Sequence, residues 1–131
     1  MAGLVVVDTD LVIDFLRGTG PGTTLVRELV AHHRLRFTAI TAFELRVGGD
    51  FLRRRDDVLR LLRSRTFPLD PSSALRAGEV AAELRAAGLG IGFADSLQAG
   101  TCLRHDLPFA TRNRKHFDRV DGLRLVDVDQ G

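Results

Sequence analysis

Residues 4–7, Leu4-Val5-Val6-Val7, form an unbroken aliphatic run that stops on a carboxylate, Asp8. A strand apolar at every position, rather than at alternate ones, is buried on both faces, as strands are when helices cover each side of a parallel sheet. The rest of the chain alternates in the same sense. A short helix is expected over 11–17, stopped by Gly18, and Thr19-Gly20-Pro21-Gly22 is a break before a helix over 24–33. A strand over 36–39 leads to a helix over 41–47 ended by Gly48-Gly49, then to a longer helix over about 51–63. A brief strand at 66–69 is followed by Pro71 at the start of a helix over about 72–87. Beyond Gly88 and Gly90 come a helix over 94–104, a strand at 109–111 after Pro108, and a last strand at 123–128. Repeated strand–helix units predict an α/β fold of three layers, α/β/α, around a central, mainly parallel sheet. With 131 residues and no linker or repeat, positions 1–131 read as one domain.

Composition narrows the function classes. No apolar run approaches the roughly 18 residues of a membrane span, and the start of the chain lacks the basic region and cleavage site of a signal peptide. Cys102 is the one cysteine, so no internal disulfide can form, and a reducing cytoplasm is the expected compartment. Lys115 is the one lysine among 19 basic residues; the rest are arginine, whose planar fork suits phosphate, although a GC-rich coding sequence gives the same bias. A pI near 9.4 is compatible with a polyanionic partner. Tryptophan and tyrosine are absent, so contact with a nucleic-acid backbone is favoured over base stacking.

Three acids stand where strands end or helices begin: Asp8, Glu44 and Asp95. In open α/β sheets that edge is where ligands bind. Each also has a purely structural explanation to weigh. Asp10 suits the N-cap of the first helix, which leaves Asp8 unemployed at a buried strand tip. Thr41-Ala42-Phe43-Glu44 matches a capping box, and Asp95 suits a helix N-terminus. If the three converge, the balance shifts. Two carboxylates about 4 Å apart repel by about 4 kcal/mol at an effective dielectric of 20, so a third calls for a cation. Oxygen ligands favour Mg²⁺ or Mn²⁺, and the pattern points to metal-dependent phosphodiester chemistry.

Other constellations carry less. His32, His33, His105 and His116 lack zinc-ligand spacing, and Cys102 on a small-residue helix reads as core. Asp8-Thr9-Asp10 also fits the nucleophile motif of HAD-type phosphohydrolases, but Lys115 comes after Asp95 rather than before it, out of order for that mechanism. The segment 51–63 presents an apolar arc of Phe51, Leu52, Val58, Leu59, Leu61 and Leu62 with Arg55 in its middle. There Arg55 either snorkels past the core or marks a face for another chain.

Four segments in order, Val5-Val6-Val7-Asp8-Thr9-Asp10-Leu11-Val12-Ile13-Asp14, Thr41-Ala42-Phe43-Glu44-Leu45, Phe93-Ala94-Asp95-Ser96-Leu97-Gln98-Ala99 and Ala110-Thr111-Arg112-Asn113-Arg114-Lys115-His116-Phe117, resemble the PIN domain, in particular the VapC toxins of type II toxin–antitoxin systems. The resemblance implies a compact α/β/α endoribonuclease that cuts single-stranded RNA with Mg²⁺ or Mn²⁺. It also implies a cognate antitoxin and a toxin homodimer. Asp8, Glu44 and Asp95 match the family's first three acids, as catalytic residues and metal ligands. At the fourth position this chain has Asn113, with Asp118 a few residues on, and Thr111 matches a hydroxyl near the metal. Arg112, Arg114 and Lys115 are the residues expected to hold RNA, or else a solvated basic turn. The competing reading is a PIN-like module that binds RNA or antitoxin without cutting.

Overall fold

β1 (Val5–Val7) is buried along its whole length, and its side chains divide between two cores. Val5 and Val7 join one core with Leu11, Val26, Leu35, Phe37 and Val58, while Val6 joins the other with Val80, Ala99, Phe109 and Phe117. Successive strand residues face opposite ways, so a strand apolar throughout must be covered on both sides. In the computed structural model, which describes residues 3–128, helices supply both covers.

The chain continues through α1 (Thr9–Arg17), α2 (Pro21–Ala31), β2 (Leu35–Thr38), α3 (Ala39–Val47), α4 (Arg55–Leu62), β3 (Thr66–Phe67) and α5 (Pro71–Ala86). It ends with α6 (Phe93–Arg104), β4 (Phe109–Ala110), α7 (Arg114–Phe117) and β5 (Leu125–Val126). Among the described residues five strands form one sheet in the order β3-β2-β1-β4-β5, every pair parallel. The expected α/β architecture is therefore present. Because the chain builds outward from β1 in one direction and returns to build in the other, the order reverses between β1 and β4. Val7 pairs with Ala110 there. Outside the C-terminal ends of those two strands lies the crevice that open α/β sheets use for ligands.

Several element boundaries differ from expectation, each for a physical reason. The first helix starts at Thr9, and Asp8 rather than Asp10 is its N-cap, accepting the Thr9 amide at 2.8 Å; Asp10 lies exposed in the first turn. The Thr41–Glu44 pair is no capping box. α3 begins at Ala39 with Thr38 as its cap, whose hydroxyl accepts the Thr41 amide. The helix expected over 51–63 begins only at Arg55, because Asp50, paired with Arg17 at 2.7 Å and with Arg53, holds the preceding residues in turns. That shifts the helical phase. Phe51, Val58 and Leu61 are buried while Leu52 and Leu59 are exposed, and Arg55 points to solvent. Its neighbour Arg54 is the one that reaches inward, donating to the Leu16 carbonyl at 2.6 Å.

The small residues of α6 permit a close approach to the neighbouring helix α5. Gly100 lies against the backbone of Ala77 on α5, where a Cβ would collide. Cys102 is fully buried, and burial pushes its thiol far up, which leaves it an inert core residue. No helix among the described residues is long and apolar enough to cross a membrane.

Candidate active site

Asp8 leaves the end of β1 and faces hydrogen-bond donors from three other segments. Its Oδ1 accepts the Thr9 amide at 2.8 Å and Gln98 Nε2 at 3.1 Å. Its Oδ2 accepts the Thr111 hydroxyl at 2.7 Å. Thr111 directly follows β4, so this last bond spans the point where the strand order reverses. Thr111 is fully buried, as is the hydroxyl of Thr38 at the end of β2, which donates to Gln98 Oε1 at 2.5 Å. Gln98 thus ties the tips of β1 and β2 together from a third element, α6.

Burial raises the Asp8 carboxyl from 3.8 to about 6. The hydrogen bonds from Thr111 and Thr9 pull the other way, and the negative charges of Asp10 and Asp95 add to the rise. Burial prevails over the hydrogen bonds because two or three neutral donors only partly replace the solvation of a full charge.

Glu44 is carried to the same edge by α3. Its Oε1 accepts the Thr9 hydroxyl at 2.6 Å, and that hydroxyl also lies 3.0 Å from Thr41 Oγ1. Thr9 therefore connects the second acid to the first, donating its amide to Asp8 and its hydroxyl to Glu44. Asp95 sits in the first turn of α6, a helix whose Gly92 N-cap offers no side chain, so the carboxylate is the charge that complements the helix dipole. Its Oδ2 lies 3.1 Å from His116 Nδ1 on α7.

The three acids thus gather at one end of the sheet, each engaged with a neighbour. Among the described residues no three Asp, Glu, His or Cys side chains are disposed as a ready-made metal cage. In kind the donors suit a hard divalent cation: three carboxylates flanked by the hydroxyls of Thr9 and Thr111. The raised Asp8 carboxyl agrees with that, because a positive charge beside it removes the cost of its ionisation.

The basic residues of the β4–α7 loop divide. Arg112 is paired with Asp14 at 2.7 Å, and Arg114 reaches the Val126 carbonyl at 3.4 Å. Lys115 is exposed. Asn113 is exposed, its amide N–H donating to Thr111 Oγ1 at 3.0 Å, and Asp118 is the exposed C-cap residue of α7. Three residues engage the acids without having been singled out from sequence: Thr9, Gln98 and His116. Gln98 had a usable signal, since it lies one turn after Asp95 and a glutamine amid small residues on a buried helix needs polar partners. Nothing in the spacing marks His116.

A parallel sheet in this order, with Asp8 at the C-terminal end of its central strand and helices on both faces, defines an open α/β protein with a switch point between β1 and β4. The PIN-domain family model matches residues 5–123, and the chain belongs to that family. A comparison with curated proteins returns no match. The fold is similar to DNA-bound VapBC from Salmonella typhimurium, at 22% identity over 96% of this chain and 98% of that one, with a TM-score of 0.81. It is similar as well to FitAcB from Neisseria gonorrhoeae, at 23% identity over 98% and 100% of the two chains and a TM-score of 0.82. A toxin–antitoxin complex from Klebsiella pneumoniae matches at 20% identity over 94% and 96%, with a TM-score of 0.71.

Proposed function

We propose that this PIN domain is the toxin of a type II toxin–antitoxin pair, a divalent-cation-dependent endoribonuclease acting on single-stranded RNA in the cytoplasm. The observation that carries the reading is Asp8 at the switch point of a PIN fold, joined to Glu44 through Thr9 and near enough to Asp95 for that negative charge to act on it. The toxin assignment is supported by structural relatives described as VapBC and as a toxin–antitoxin complex. Exposed apolar side chains at Phe43, Val47 and Leu52 support a protein partner, as does an apolar groove of about 690 Å³ between α5 and α6 lined by Leu69, Ala77, Ile91, Phe93 and Leu97. These partners are an antitoxin and a second copy of the chain.

In this reading Asp8 and Asp95 would hold Mg²⁺ or Mn²⁺ directly, with Glu44 either a further ligand or the base for the attacking water. When bound there, such an ion would supply Lewis acidity to the scissile phosphate and to the attacking water. Gln98 and Thr111 fix the Asp8 carboxylate in place by hydrogen bonds at both oxygens. Glu44, held at Oε1 by Thr9, accepts the proton of the attacking water at Oε2. The new P–O bond forms in line with the breaking bond to the 3′ oxygen, which leaves and takes a proton from solvent. Products carry 5′-phosphate and 3′-hydroxyl ends. Lys115, Arg112 and Arg114 meet the RNA backbone beside this edge, with Arg112 held by Asp14.

The test is incubation of antitoxin-free protein with total cellular RNA in Mg²⁺, Mn²⁺ or EDTA, beside Asp95→Asn. Discrete fragments that require metal and vanish in the variant are expected. RNA binding without cleavage would favour the second reading, a non-cutting module, which has in its support the engagement of each acid by a neighbouring side chain.

A further inference from the structure

We infer that His116 is the positioning residue for Asp95, taking one carboxylate oxygen so that the other is presented to the cation; this rests on the nuclease reading above. His116 Nδ1 lies 3.1 Å from Asp95 Oδ2 and 3.1 Å from Asn113 Nδ2. A carboxylate oxygen can only accept, so contact at that distance is favourable only when Nδ1 carries the hydrogen. An N–H at Nδ1 leaves no lone pair for a donor from Asn113. The Asn113 amide is therefore read with its oxygen towards the ring, an orientation set by the hydrogen-bond network.

His116 is held in place from beneath and from behind. Its neighbour Phe117 is fully buried and packs edge-on to Phe109 of β4, with ring centroids 4.8 Å apart, which pins α7 to the core. Behind it, the Asn113 backbone N–H donates to Thr111 Oγ1 at 3.0 Å, and Thr111 itself donates to Asp8 at 2.7 Å. A single stretch of chain, 111–116, thus grips Asp8 at one end and Asp95 at the other. Its hydrogen bonds set where the two acids stand relative to each other. Carboxylates that ligate metals are themselves hydrogen-bonded by such outer partners, which orient them.

The experiment measures Mn²⁺ affinity by calorimetry and electron paramagnetic resonance on antitoxin-free protein, with RNA cleavage as a separate readout and melting in EDTA as the folding control. His116→Ala should weaken Mn²⁺ binding by roughly 10- to 100-fold. His116→Asn places an N–H where Nδ1 stands and should restore most of the affinity, whereas His116→Gln places it one bond further out and should not. The Asn–Gln contrast holds even if the alanine variant folds poorly. Unchanged or tighter binding in His116→Ala would overturn the inference, as would nitrogen hyperfine coupling showing the imidazole bound directly to Mn²⁺. If the wild type binds no Mn²⁺ and Asp95→Asn changes nothing, the nuclease reading itself fails and this inference with it.

Discussion

Gln98 donates from Nε2 to Asp8 Oδ1 at 3.1 Å while its Oε1 accepts the Thr38 hydroxyl, so one amide on α6 locks the tips of two adjacent strands. At 1% exposure the amide has no water to replace either partner. Gln98→Leu keeps much of the volume but strands the Thr38 hydroxyl and removes a donor from a carboxylate. Losing a hydrogen bond to a charged group costs about 1.5–3 kcal/mol, so urea unfolding should show a loss of that order. A change below about 0.5 kcal/mol, the size usual for surface substitutions, would mean that the bridge does not restrain Asp8.

The raised Asp8 carboxyl has a stability consequence of definite sign. Its folded value, about 6, lies above the ordinary 3.8, so the fold favours the protonated acid. That contribution is complete below about pH 4 and is lost as pH rises through 6, amounting to about 3 kcal/mol for a shift of roughly two units. Asp50 and Asp70 act in the opposite sense, being held below the usual range, Asp50 chiefly by the Arg17 side chain and Asp70 by the Ser73 amide. The difference between wild type and Asp8→Asn isolates the term. In EDTA the wild type should lose stability relative to the variant between pH 4 and 7.5, and Mn²⁺ should recover part of it. A flat difference would show that Asp8 is better solvated than its burial implies.

Gly18 and Gly20 flank the turn between α1 and α2, both with positive φ, yet they should not respond alike to alanine. Gly18, at φ 74°, has open space where a Cβ would go, so Gly18→Ala carries only the left-handed backbone penalty, about 1 kcal/mol. Gly20, at φ 93°, has the Asp14 carboxyl carbon 2.6 Å from that position. Asp14 Oδ2 cannot simply move away, since it accepts the Gly22 amide at 3.1 Å and pairs with Arg112. Gly20→Ala should therefore lower the melting temperature clearly further than Gly18→Ala, and equal effects would show that Asp14 shifts without cost.

Much of the strand and helix order was legible because β1 is an unbroken apolar run and because glycines stand at or just after the ends of α1, α3 and α5, at Gly18, Gly48 and Gly88. Asp8 stood out because it ends β1; Glu44 lies inside α3, past its first turn, and Asp95 lies in the first turn of α6. What escaped were choices between neighbours that differ by one hydrogen bond: Asp8 or Asp10 as the first cap, Thr38 or Thr41 as the third. Both candidates in each pair have suitable side chains, and only the register of the sheet selects between them. α7, at four residues, is too short for helical periodicity to show. The partnerships of Gln98 with Asp8 and of His116 with Asp95 join residues 90 and 21 positions apart, and such contacts exist only once the sheet has assembled.

Thr9 offers the sharpest separation of catalysis from folding. Its amide caps α1 through Asp8, which any residue can do, but its hydroxyl alone holds Glu44, at 2.6 Å. Thr9→Val keeps the shape and the amide and deletes the hydroxyl proton. Glu44 is only partly buried, so water can replace the lost donor, which limits the stability loss to about 1 kcal/mol, the scale of one hydrogen bond. Cleavage should suffer more. A loosened general base loses part of the roughly 10²–10⁴-fold that such a group contributes, so kcat should fall about tenfold or more with KM little changed. Thr9→Ser restores the donor and should restore the rate. If Thr9→Val cleaved RNA as fast as wild type, Glu44 would need no anchoring, and its role as the base would pass to another group.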